Sequence, residues 1–469
     1  MDAVVVGSGP NGLAAAITLA RAGRSVVVLE AASEPGGGCR SAELTEPGFV
    51  HDVGSAIHPL AKASPFFSEL DLERFGLEWV SSPAAVGQAI DGDRVSMAWC
   101  DLERTAEGLG VDGDRYRAIF GPLVERIADV VNLSLGPPLR WPPRPRLAAR
   151  FGLEAARPAT GFIDRFRTEE ARALFMGHAA HSTLRLDQPF TSGFGILLTV
   201  LAHGVGWPFP RGGAQSLTSA LVDLLIELGA EVRLDHRVSR LEDLPPSEIV
   251  VFALTPSQVL DIVGDRFPAR YRRRLQRFRY GPGAYKIDFA LSEPVPWSNP
   301  VLADAATVHV GGTARQMVRA EGAVARGHHP REPFVLFAQP SLFDSSRAPD
   351  GRHTGWAYCH VPHGSTVDMS KAIVDQIERF APGFRDTVLA QRVSTPADLE
   401  AGNANLVGGD IAGGSMAGPQ LLLRPRPQTN PYRTGDPKLF IGSASASPGA
   451  GAHGMSGHLA ALTAMRQLG

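Results

Sequence analysis

Cysteine is scarce in this 469-residue chain, which has three: Cys39, Cys100 and Cys359. Three cannot build a disulfide framework and no two form a CxxC pair, so reduced thiols and a cytoplasmic location are expected. Charge of one sign is missing too. Lys plus Arg number 46 and Asp plus Glu 48, a formal net charge of −2. That leaves no basic field for nucleic acid. Long apolar runs are absent: the longest candidate, Phe194 to Ala202, falls far short of the roughly 18–20 residues that span a bilayer. It reads as a buried helix, and peripheral membrane contact is the most it could offer. No basic segment precedes the first apolar run. Met1-Asp2 leads straight into Ala3-Val4-Val5-Val6, which predicts a strand and not a signal peptide. A 44% hydrophobic and 20% charged composition is that of an ordinary globular protein, long enough for two or three domains.

What is plentiful is glycine, 51 residues in all, against a usual share of roughly 7%. The glycines are not periodic, which excludes collagen and solenoids. They gather at 7–12, 36–38, 204–213, 408–418 and 442–457, as close backbone approach would require. The first group carries the strongest signal. A strand (Ala3–Val6) runs into Gly7-Ser8-Gly9-Pro10-Asn11-Gly12, then a helix (Leu13–Ala22), then a strand (Ser25–Leu29) ending at Glu30. This is G-x-G-x-x-G between strand and helix, within a unit of about 30 residues. Gly7 turns the chain, Gly9 admits a pyrophosphate, and Gly12 lets helix and strand pack. The helix N-terminus offers N–H groups and a positive dipole end to phosphates. Glu30 stands where a carboxylate accepts ribose hydroxyls, which disfavours a 2′-phosphate there. FAD and NAD both remain compatible with this unit alone.

Three further segments favour FAD. Ala31 and the turn Gly36-Gly37-Gly38-Cys39-Arg40 follow the acid, placed to lie along a pyrophosphate. A second small turn, Gly54-Ser55, follows a strand and suits close passage of a flat ring. Near the C-terminus, a strand ends in Gly442-Ser443 before the glycine-rich helix start around Gly454-Met455-Ser456. A transiently bound NAD does not need the far end of the chain to complete its site.

With these segments in place, the sequence resembles the phytoene desaturase-like flavoproteins, within the wider flavin amine-oxidase group. The matching stretches run from Val4–Gly12 with Glu30 and Gly36–Gly38, through Asp52–His58 and Trp207–Gly213, to Leu439–Gly457. They also include Leu228–Val232, Tyr280–Trp297 and Gln339–Gly364. The sequence departs from the group's Gly-Gly-Arg, having Gly37-Gly38-Cys39-Arg40 instead. The resemblance implies an α/β fold: a Rossmann-type FAD-binding domain with a discontinuous α+β substrate domain, antiparallel sheet plus helices. Residues 1–60, 205–265 and 425–469 would form the first, and 61–204 and 266–424 the second. Within the first, a helix over 215–228 and the strand Glu231–Asp235 would bring the Val238 backbone beside the adenine.

The implied activity is hydride transfer from an organic substrate, either a lipophilic molecule or a small metabolite, to the flavin, in a dehydrogenase, desaturase or oxidase. The electron acceptor (oxygen, a quinone or NAD) stays open, as does the oligomeric state. The apolar segments around 189–202 and 417–423 suit either an extended hydrophobic substrate or a core. Lys286 interrupts a strand pattern where amine-oxidase relatives keep a lysine near the flavin; the alternative is a solvated strand lysine. His58 is a second catalytic candidate, against a packed or solvated histidine, and His453 precedes the flavin-end helix. No metal site is expected, because His178 and His181 at i,i+3 have no HExxH or carboxylate companion. His328-His329 reads as an exposed loop, and His360 and His363 as loop structure around Val361-Pro362. The rivals are an NAD-dependent dehydrogenase using the first unit alone and a non-catalytic flavin-binding protein.

Overall fold

The computed structural model describes residues 1–137 and 144–468. Two sheets organise them. The first has five parallel strands in the order Leu439–Ile441, Ile249–Phe252, Ala3–Val6, Val26–Leu29, Glu231–Arg233. Its first four strands are buried throughout, as near-continuous Val/Ile/Leu runs require of a sheet covered on both faces. The helix Pro10–Arg21 packs against both Met455–Leu468 and Ala214–Glu227. It starts at Pro10, three residues before the expected Leu13. Proline's fixed φ and missing N–H suit the first helical position. The strand expected over Glu231–Asp235 stops at Arg233, because Asp235 turns left-handed (φ 52°).

The second sheet has seven strands, in the order Val388–Ser394, Gly283–Leu291, His353–Val361, Val335–Ala338, Ala305–Val310, Ala84–Asp91, Arg94–Trp99. All neighbours are antiparallel except Ala305–Val310 with Ala84–Asp91. Side chains alternate between faces. Ile287, Phe289, Val308, Phe337 and Ala357 bury one face together with Ile373 and Ile377 of the helix Ser370–Glu378. The other face carries Lys286, Asp288, Trp356, Tyr358, Leu336, Thr307 and His309. Against its far end lie the helices Glu169–Ala180 and Thr191–Gly204, the second holding the expected apolar segment. Among the described residues no helix is long and apolar enough to cross a membrane.

Candidate functional site

One cavity of about 930 Å³ runs from the G-x-G-x-x-G loop to the polar face of the seven-stranded sheet. That volume lies at the upper end of the range for small-molecule and cofactor sites.

At one end stands the helix Pro10–Arg21. Gly9 is its N-cap, proline occupies the first turn, and no side chain caps it. The first N–H groups therefore point towards the cavity unpaired by side chains, an anion site by geometry. Gly12 is required by contact: a Cβ there would sit 1.8 Å from the Gly7 carbonyl oxygen. Glu30 accepts from Ser8 N (2.8 Å), Ser8 Oγ (2.6 Å) and Ala32 N (2.9 Å). A carboxylate offers about four acceptor positions, so Oε1 keeps one for the cavity that Glu30 lines.

Of the residues singled out in sequence, Gly7, Gly9, Pro10, Asn11, Gly12, Glu30, Ala31, Gly37, Gly38 and Arg40 line this cavity. So do Gly54, Ser55, His58, Val238, Lys286 and Ser443. Arg40 donates to the carbonyls of Gly37 (3.1 Å) and Gly402 (3.3 Å), which fixes it at the wall. Ser8, Gly442, Gly454, Met455 and Ser456 stand behind the wall. Ser8 is spent on Glu30, Gly442 is pressed against Ala460 and Val251, and Ser456 bonds the Ala446 carbonyl. Ser445, Gly451 and Ala452 reach the cavity there instead. His453 does not face it; its Nδ1 accepts from Met455 N at 3.0 Å and caps the last helix.

In the middle of the cavity, Lys286 is buried, so the solvated reading of this lysine is wrong. Its ammonium pairs with Asp288, two residues along the same strand face. Asp288 is fully buried, and its other oxygen lies 3.7 Å from His51 Nδ1. Burial pushes the Asp288 carboxyl up to about 6 in spite of Lys286. Burial, then Lys286, pushes His51 down to about 3, so His51 is neutral. His58 bonds Ser55 Oγ through Nε2 (3.0 Å), and burial lowers it to about 4. It is a packed neutral histidine with access to the cavity.

Asp288 makes a pH prediction. Its folded-state pKa lies above that of a free carboxyl, so the folded chain binds this proton more tightly. Its contribution to stability falls as pH rises from about 4 to about 6. In Asp288→Asn that slope is expected to vanish, read as the difference in melting temperature from wild type between pH 4 and 8. A difference that is flat with pH would mean that Asp288 titrates normally.

Beyond Lys286 the walls are apolar. Phe190, Phe194, Leu197 and Leu198 come from one expected segment, and Leu421 and Leu422 from the other. Tyr358 and Thr307, also in the wall, have no counterpart in the sequence reading, and His181 entered it only as a rejected metal ligand. The alternation Trp356, Tyr358, His360 on one strand was the available signal. His360 is not in a loop: it lies in His353–Val361, buried, with Nδ1 2.9 Å from Glu321. The strand runs through Val361, and Pro362 follows its end. His363 does follow the strand, bonded to the Gly281 carbonyl. Among the described residues no three His, Cys, Asp or Glu side chains are arranged to hold a metal.

Residues 5–70 match the model of an NAD(P)-binding Rossmann-like domain. The chain is 24% identical to pyridine nucleotide-disulfide oxidoreductase domain-containing protein 2 of Rattus norvegicus, across all of this chain and 94% of that protein. It is 26% identical to a lycopene-forming phytoene desaturase of Pseudescherichia vulneris, over 84% of this chain and 85% of the relative. Among solved structures, an oxidoreductase from Methanosarcina mazei matches with TM-score 0.66 at 16% identity, covering 99% of this chain and 100% of that one. Cyclohexylamine oxidase from Brevibacterium oxydans matches with TM-score 0.59 at 17% identity, covering 100% and 98%. At those identities the structural matches speak for the fold alone.

Proposed function

We propose that this phytoene desaturase-like oxidoreductase binds FAD along the cavity and uses it to oxidise an organic, lipophilic substrate. The observation that carries the reading is the continuity of that cavity. It runs unbroken from an uncapped helix N-terminus and Glu30, past Lys286, into an apolar chamber. A nicotinamide dehydrogenase using the first unit alone has no call for Ser443–Ser445 and Ala450–Ala452 on the same wall. In this reading residues 1–60, 205–265 and 425–469 form the cofactor domain, and 61–204 and 266–424 the substrate domain.

The donors fit the group. The N–H groups of the first turn after Gly9 take the pyrophosphate, Arg40 stands beside it, and Glu30 holds the ribose. When bound, FAD supplies a two-electron acceptor for the hydride that leaves the substrate carbon. The chain orients that carbon and keeps water away. Lys286, anchored by Asp288, presents a buried cation to the cavity at the position this reading gives to the reacting atoms. His58, neutral and locked to Ser55, borders the same region.

Denaturing the purified protein should release FAD at about one per chain. FMN, or no flavin even after reconstitution, would overturn the reading. Glu30→Arg should lower FAD affinity at least about tenfold, since a charge-assisted bond contributes roughly 1.5–3 kcal/mol. Unchanged occupancy would remove Glu30 from the ribose. Anaerobic bleaching of the flavin by a lipophilic candidate substrate would then separate an enzyme from a passive flavin carrier.

A further inference from the structure

Lys286, Tyr358, Leu336, His309 and Gln88 form one row across the seven-stranded sheet. Lys286 is in register with Tyr358, Tyr358 with Leu336, Leu336 with His309, and His309 with Gln88. All five side chains therefore share the cavity-side face. Strands lie about 4.8 Å apart, so three spacings put His309 roughly 14 Å from Lys286.

At the far end of the row, His309 meets His181 through their Nε2 atoms at 3.0 Å. One of these nitrogens donates and the other accepts. Their surroundings decide which. His309 is fully buried, and neither its Nδ1 nor Gln88 Oε1 has a hydrogen-bond partner. Both border the Cα of Gly177, where a Cβ would stand 2.4 Å from that nitrogen and 2.3 Å from that oxygen. The Gln88 amide nitrogen is engaged by the carbonyls of Ala89 and Gly312, which fixes Oε1 as the atom facing inwards. A carboxamide oxygen can only accept. His178, 5.8 Å from His309 in a T-shaped arrangement, is committed through Nδ1 to Thr199 Oγ1. Thr199 gives its own proton to the Gly195 carbonyl, so His178 Nδ1 donates and its Nε2 is an acceptor.

Gln88 Oε1, the polar atom set beside His309 Nδ1 across Gly177, can only accept, so the proton is assigned to that nitrogen rather than to Nε2. His309 Nε2 then accepts from His181 Nε2–H. The Nδ1 of His181, on the ring edge left for the cavity it lines, is a lone pair.

We propose that His181 Nδ1 is a fixed hydrogen-bond acceptor for the substrate, and that the substrate is an elongated apolar molecule bearing a hydroxyl at the His181 end of the chamber, where the bonded His309 stands three strand spacings from Lys286. The placement of the hydroxyl relative to the oxidised bond rests on the reading of Lys286 as marking the reacting position; the acceptor itself does not. Trp207, Leu198 and Leu336 surround this end of the chamber. Burial lowers His181 to about 3 and keeps it uncharged. A neutral acceptor among apolar walls, with no counter-charge, selects a hydroxyl over an ammonium group.

The test uses farnesol and farnesyl methyl ether, which share a chain and an oxygen but differ in the donor. Binding is read by quenching of tryptophan fluorescence, since the Trp207 ring lies 5.2 Å from that of His181. This readout works with or without flavin. Farnesol should bind about fivefold more tightly than the ether, the effect of one net hydrogen bond. In His181→Phe the ratio should fall to about one with ether affinity kept, and His181→Asn should restore part of it. Gln88→Leu, which touches no ligand, should lower the ratio by freeing the tautomer. Melting curves identify any variant that fails to fold. Equal affinities in wild type, or a ratio surviving in His181→Phe, would overturn the proposal. A chain that takes up no flavin yet keeps the ratio would sink the cofactor reading and the placement of the hydroxyl relative to the oxidised bond while leaving the acceptor intact.

Discussion

Arg347→Met is expected to destabilise the fold by about 3–5 kcal/mol, the usual cost of stripping one partner from a buried ion pair. Arg347 is fully buried. Its Nη2 donates to Asp52 Oδ2 at 2.6 Å, and its Nε lies 3.4 Å from Asp344. Asp52 in turn accepts from Ser41 Oγ (2.8 Å) and from Ala214 N (2.7 Å), at the start of the helix Ala214–Glu227. Asp344 accepts from Gly212 N at 2.7 Å. One guanidinium therefore holds together the strand Val50–Asp52, the 211–214 turn and its own loop. Methionine keeps the stem and leaves Asp52 buried without a cation, and Asp344 with only the half-exposed Arg211 at 3.6 Å.

The pH dependence identifies the cause. Burial would raise the Asp52 carboxyl, but Arg347, by charge and hydrogen bond, and the Ala214 N–H hold it below the usual carboxylate range. A depressed carboxyl stabilises above its unfolded pKa of about 3.9 and loses that contribution as pH falls through the folded value. Without Arg347 the Asp52 pKa rises, so the variant's deficit should be largest near neutrality and shrink towards pH 4. At roughly 2.1 cal/mol/K per residue, a chain of this length loses about 1 °C for each kcal/mol. A drop of about 3–5 °C at pH 7 is therefore expected. A drop below 1 °C, or one constant from pH 4 to 8, would show that the pair is not what holds these loops.

No sequence signal pointed to Arg347. Its partner is 295 positions away, and it sits in the short 3-10 turn Ser345–Arg347, where no periodicity marks a buried face. The first βαβ unit was legible for the opposite reason. Ala3–Val6, Gly7–Gly12, the helix and Glu30 are contiguous, so one local pattern states both the fold and the shape of the site. Lys286 was visible as a charge interrupting a strand, but its partner Asp288 was not weighed, although i and i+2 on a strand share a face. The row from Lys286 to Gln88 could not be read at all. Its members come from five strands, and register between distant strands is fixed by packing that no local window contains. The C-terminal site residues show a third kind of limit. The strand, the small turn and the glycine helix are all legible, but packing puts Gly442 and Gly454–Ser456 behind the wall and not at it. A glycine that admits a ligand and one that admits a neighbouring helix look alike in sequence.

Gly457 is of the second kind, and with FAD as the proposed cofactor Gly457→Ala is expected to cost at least about tenfold in FAD affinity. It sits in the first turn of Met455–Leu468. A Cβ there would lie 1.7 Å from the carbonyl oxygen of Asn11 and 2.6 Å from its carbon. Those are backbone atoms in the first turn of Pro10–Arg21, so no side chain can swing aside. Since Cβ contacts under 3.0 Å are essentially never seen, the two helices must part by more than 1 Å. The helix that moves carries the Gly9–Gly12 cradle, already closed on itself by the contact of Gly12 with Gly7. Displacements of about 1 Å at a positioned site can cost a hundredfold in function. The elements themselves survive, because each keeps its own hydrogen bonds. The variant should therefore keep its helical circular dichroism and lose bound flavin, and excess FAD should recover part of the lost melting temperature by mass action. Gly152→Ala is the control: it lies in the helix Pro145–Ala155, and nothing comes within 4 Å of an added Cβ. It should leave flavin content unchanged, with stability level or about 0.5–1 kcal/mol higher. Full flavin content and an unchanged melting temperature in Gly457→Ala would mean that the contact of the last helix with the first is not what sets the cofactor cradle.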